Sequence, residues 1–164
     1  MSILGYQAPA LRAIAESLRL PLLAQIARQP GVAVAYRITV LYHDGRASNS
    51  AATLTRLHAA RGESDVLELA YSRAWDGKPI MRTIPRARCD AFARALVALG
   101  FDRLPDQPDL PDRSIVDLWL IERAAGTFVR GVIVAPELAH NQHAALVDAV
   151  RVGLPEALRE VSVS

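Results

Sequence analysis

One cysteine, Cys89, stands among 164 residues, so no disulfide closes within the chain, and a reducing, cytoplasmic setting is expected. Lysine is almost missing too: 18 of the 19 cations are arginine and Lys78 stands alone, scattered in the way a GC-rich coding sequence scatters arginine. The 17 acids leave a net charge of +2, which calls for no polyanionic partner. No apolar run approaches the roughly 18 residues of a membrane span. The opening MSILGYQAPALRAIAES has no basic leader before an apolar core, so a signal peptide is not expected. G-x-S-x-G, P-loop and G-x-G-x-x-G patterns are missing, and no predicted helix carries paired inward carboxylates. What remains is 51% hydrophobic, enough for one domain of this length to bury roughly 68–70% of its unfolded surface without cofactor or metal.

Periodicity orders the chain. Residues 8–29 place Leu11, Ile14, Leu18, Leu22 and Ile26 at helical spacing, with Pro21 ending a first helix or opening a second. From Val32 to Tyr42 the even positions form one apolar face, and Asp44-Gly45 predicts a two-residue type I′ turn into a strand over about 47–59. VLELAYSR, an Asp76-Gly77 turn and Pro79–Ile84 complete a four-strand meander over 32–84. Pro85 heads a helix over 86–99 that Gly100 stops in left-handed conformation. A Pro/Asp loop then leads to a hairpin over 114–135. Pro136 opens the last long helix, and the C-terminal helices fill 136–161. The expected class is a single α+β domain: an antiparallel sheet with helices packed on it and an N-terminal helical arm.

DAFARALVALGFDRLPDQ, then PDRSIVDLWLIERAAGTFVRGVIV, then an alanine-rich closing helix resemble a family of uncharacterised bacterial α+β domains over about residues 80–150. The hairpin over 32–48 is similar to that family's opening strands. The resemblance implies the fold and brings no activity, cofactor or site residue with it.

Three readings of function follow from the residues. The first is a non-catalytic protein-interaction module, self-associating as a homodimer or binding a protein partner. Val116, Leu118 and Leu120 alternate with Ile115, Trp119 and Ile121, so both faces of the sheet need cover. Its expected contacts are Leu11, Leu18, Leu22, Ile26 and Trp119. The second is nucleic-acid binding through Arg73, Trp75, Lys78, Arg82, Arg86 and Arg88. The stretch Arg73–Arg94 holds six cations against Asp76 and Asp90, with an indole available for stacking. The third is a metal-dependent enzyme at Glu137, His140 and His143, three apart on the last long helix. Cys89 falls on an inward helical stripe and reads as core, and the aspartates of 102–112 read as a solvated turn-rich loop.

Overall fold

The computed structural model describes residues 7–58, 64–72, 78–112 and 115–159. Its chain runs α1 (Gln7–Ser17), α2 (Leu23–Ala27), β1 (Val32–Leu41), β2 (Ser50–Leu57), β3 (Ser64–Tyr71), β4 (Ile80–Pro85), α3 (Arg86–Leu99), β5 (Leu118–Ala125), β6 (Phe128–Val134) and α4 (Asn141–Gly153). The strands form one antiparallel sheet in the order β4-β3-β2-β1-β5-β6. β1–β4 follow one another as the expected meander over 32–84, but the sheet has six strands rather than four. β5 pairs with β1 from Ala35↔Ala124 to Leu41↔Leu118, which makes one six-stranded sheet.

Alternation along β1 sends its even side chains to one face and its odd ones to the other. On the first face Tyr36, Ile38, Leu54, Leu67 and Ile121 meet Cys89, Phe92 and Leu96 of α3 and Leu146 and Val150 of α4. Phe92 sets α3 down on the sheet, its ring packed edge to face with Tyr36 and the two ring centres 5.3 Å apart. Gly153 lets α4 approach, since a Cβ there would lie 2.7 Å from Phe92 Cδ2. Gly100 ends α3 at φ +76°, and Phe101 joins the same buried cluster.

The N-terminal arm covers the second face. Leu11 and Ile14 of α1 pack on Leu118, Leu120 and Ile133, while Leu23, Ile26 and Ala27 of α2 pack on Ala35 and Ala124. Between these two clusters runs a polar row. Arg37 of β1 stands opposite Glu122 on one side and Thr53 on the other, and Thr53 stands opposite Glu68. Arg37 is 3% exposed; its Nε donates to Thr53 Oγ1 at 3.0 Å, and Nη2 donates to the Pro21 carbonyl at 3.0 Å. That last bond ties the α1–α2 connection, in which Pro21 lies before the second helix, to the centre of the sheet.

The two edges differ. Alongside β6 the backbone N–H of Gln107 donates to the Ile133 carbonyl. The Asp106 and Gln107 side chains accept from the N–H groups of Ile133 and Ala135. β4 at the other edge leaves Ile80 and Met81 exposed, with Pro79 and Pro85 at its ends.

One expected turn and one expected helix start take other forms. β1 and β2 are joined by residues 42–49 rather than by a two-residue turn. Only Gly45 of the Asp44-Gly45 pair has positive φ, and the Asp44 carboxylate accepts from the backbone and guanidinium of Arg46. Pro136 opens a single 3-10 turn, after which Ala139 and His140 are extended and Asn141 has φ +55°, so the long helix starts only at Asn141. The Asp76-Gly77 turn lies outside the described residues.

Candidate functional site

Most of the expected contact residues are used up by the fold. Leu11 is 0% exposed, Ile26 8% and Trp119 2%, and Leu18 packs beside the α1 cluster. The arm that was to offer them lies on the sheet face that needed cover, and Trp119 faces α4, where Arg151 stacks on its ring. Leu22, a residue outside both helices, keeps 64% of its surface exposed.

The Arg-rich segment is described only in part. Arg73 and Trp75 lie outside the described residues. Arg86 donates to Asp65 and to the Leu57 carbonyl, and Arg88 pairs with Glu156 at 2.7 Å. Acids remote in sequence thus stand against Arg86 and Arg88, and Lys78 and Arg82 are exposed at and just before β4. Asp65 is fully buried and also faces Arg56, which in turn pairs with Asp90. Burial first, and then Asp65, pushes the Cys89 thiol up to about 12, so it is an inert core residue rather than a thiolate nucleophile.

Glu137, His140 and His143 do not form one helical row. Glu137 sits in the 3-10 turn, His140 precedes α4 and His143 falls in its first turn, where Nε2 donates to the Pro105 carbonyl at 2.8 Å. The extended residues between them break the three-residue spacing on which the ligand set depended. The Asp/Pro loop is more tied down than a solvated loop: Asp106 bonds β6 and Asp102 pairs with Arg123.

Two other regions are assembled by the fold. The first is the outer surface of the helix layer. α3 and α4 run antiparallel, since Gln142 reaches the Leu99 carbonyl while Arg88 reaches Glu156 near the other ends. Between them lies a groove of about 650 Å³ whose walls are Ala91, Ala95 and Ala98 on one side and Ala145, Ala149 and Val152 on the other. Val152 is 79% exposed, and Val97 on the flank of α3 is 81% exposed. Arg94 and Asp148 stand exposed on the same outer surface, and neither makes an ion pair among the described residues.

The second region lies where the 42–49 connection meets the residue before β5. His43 donates through its backbone N–H and its Nδ1–H to Asp117 Oδ1, at 3.0 and 2.7 Å. Arg46 bridges Asp44 and Asp117, with its guanidinium 5.0 Å from the Tyr42 ring centre. Burial raises the Asp117 carboxyl, but the Arg46 bond and the two His43 bonds outweigh it, so the group is held below the usual carboxylate range. By sequence alone His43 is one more polar residue beyond Tyr42, and Asp44 belongs to a turn pair. The 74 residues between His43 and Asp117 hid the constellation.

No protein-family model and no curated protein sequence matches the chain. The architecture therefore defines a class alone: an α+β protein with a six-stranded antiparallel sheet covered on both faces. Among the described residues no helix is long and apolar enough to cross a membrane.

Proposed function

We propose that this chain is a protein-interaction module that works by pairing with a second copy of itself through the outer surface of α3 and α4. The observation that carries this is the alanine-walled groove with its exposed Val152. Such a face lets two helix layers approach closely, and it is apolar where a helix surface facing only water is ordinarily charged.

Charge supports a second copy as the occupant. A two-fold axis parallel to the helices lays α3 of one protomer over α4 of its partner, at unchanged height. Counted along the two helices, Asp148 stands one residue from Arg94 by the Gln142–Leu99 contact and three by the Gly153–Phe92 approach, about 1.5–4.5 Å of rise and within reach of an arginine side chain. Each contact then repeats by symmetry, giving two Arg94–Asp148 pairs across the interface. Helices of 14 and 13 residues span about 20 Å. That is the small end of protein interfaces, so association is expected to depend on concentration in the micromolar range.

Sedimentation of the full chain over a concentration series tests the proposal. A species approaching twice the 17.8 kDa chain mass is expected for the native protein. Arg94→Glu is expected to dissociate it, and Arg94→Glu with Asp148→Arg to restore it. A monomer at every concentration, or a dimer that ignores both charges, overturns the proposal.

A further inference from the structure

We infer that His43, Asp44 and Asp117 form a binding site for a divalent transition-metal ion of the zinc class, and that Arg46 is a built-in cation that the metal displaces. The donor atoms of the three side chains lie within 4.8 Å of one another. Ligands around a tetrahedral zinc at about 2.0–2.2 Å are separated by roughly 3.5 Å, so the exposed Asp44 need move only a little to join the other two. The donors are graded in rigidity. The Asp117 side chain is 6% exposed and anchored by His43 and Arg46, the His43 ring is 25% exposed, and Asp44 sits at the surface at 44%.

The chemistry selects the ion. One imidazole and two carboxylates are a zinc-type donor set that leaves a fourth position to water or substrate. Calcium and magnesium take shells of six or more oxygens, for which an imidazole nitrogen is a poor member. Charge points the same way: two carboxylates balance a divalent ion, whereas one guanidinium leaves the cluster one charge short. Arg46 occupies the position of that charge, with Nη1 2.7 Å from Asp44 and 3.2 Å from Asp117. Its side chain is 43% exposed, so it has room to swing into water when an ion enters.

This role for Arg46 predicts a result that a purely structural ion pair does not. Zinc chloride is titrated by calorimetry into chelator-treated protein, with circular dichroism to verify folding of each variant. One ion per chain is expected for the native protein. Arg46→Ala should bind several-fold more tightly, because its exposed pairs no longer compete with the ion. His43→Gln and Asp44→Asn, both at partly exposed positions that tolerate change, should each weaken binding about ten-fold or more. Failure of both the native protein and Arg46→Ala to bind zinc overturns the inference. So does zinc binding that survives His43→Gln and Asp44→Asn, or an equal response to magnesium chloride.

Discussion

The two faces of the sheet are held by different physics. Under α3 and α4 the cover is large and apolar, with Phe92, Phe101, Leu96 and Leu146 all at or below 2% exposure against strand residues of the same kind. Under α1 and α2 the strands mix Leu118, Leu120 and Ile133 with alanines, threonines and one arginine, and the apolar contacts fall into two small clusters on either side of Arg37. The first face resists opening through burial spread over many residues. The second depends on a few bonds from one buried charge, so its cover is expected to open first.

The largest blow to this contrast comes from Phe92→Ala, expected to cost about 3–5 kcal/mol by emptying the centre of the helix layer. Denaturant melts should show it as a global loss, with every amide of the sheet affected together. Arg37→Ala comes next. It leaves Thr53 and the Pro21 carbonyl without their donor and Glu122 without its neighbouring charge, a broken buried network worth about 3 kcal/mol. A midpoint unchanged by that substitution would erase the distinction between the faces. Leu11→Ala should cost about 2 kcal/mol, and hydrogen exchange should rise in α1 while α3 keeps its protection. If both helices lose protection equally, the arm is part of one cooperative unit with the main core.

Glu122→Gln has the smallest effect and the opposite sign. Burial raises this carboxyl above its usual 4.5, against the pull of Arg37 and Arg12, so its ionised form is disfavoured in the fold. At neutral pH the fold bears that penalty and the amide relieves it, so the variant should be the more stable. As pH falls through the raised folded value toward 4.5 the native glutamate takes up its proton and the advantage vanishes. Melts between pH 7 and pH 4 measure it. An advantage that grows with acidity would contradict the assignment.

Much of this architecture was legible where a local rule meets no competitor. The alternation from Val32 to Leu41 gave both faces of β1. Pro85 and Gly100 bracketed α3 because fixed φ and positive φ are needed at those two points whatever surrounds them. The rules failed where a side chain had a better partner than its own backbone. Asp44-Gly45 satisfies the two-residue turn pattern, yet the Asp44 carboxylate binds Arg46 and the turn widens. The row from Glu137 to His143 satisfies helical spacing, yet the chain is extended at Ala139 and His140. Pairing of β5 with β1 was hidden because β5 is apolar on both faces and its pattern names no neighbour. The site residues were less legible still. Arg94 and Asp148 look like any exposed charges on amphipathic helices until the antiparallel packing brings them near one height. His43 acquires meaning only with Asp117 beside it.

The plugged end of β6 limits what the sheet can become. Lateral growth of strands into a ribbon requires two open edges per molecule, one to receive and one to offer. Here Asp106 and Gln107 occupy the backbone groups of Ile133 and the N–H of Ala135, at the C-terminal end of β6. A strand arriving from another copy of this chain would have to displace that loop to pair along the whole of β6, which handicaps this edge as a template for a ribbon.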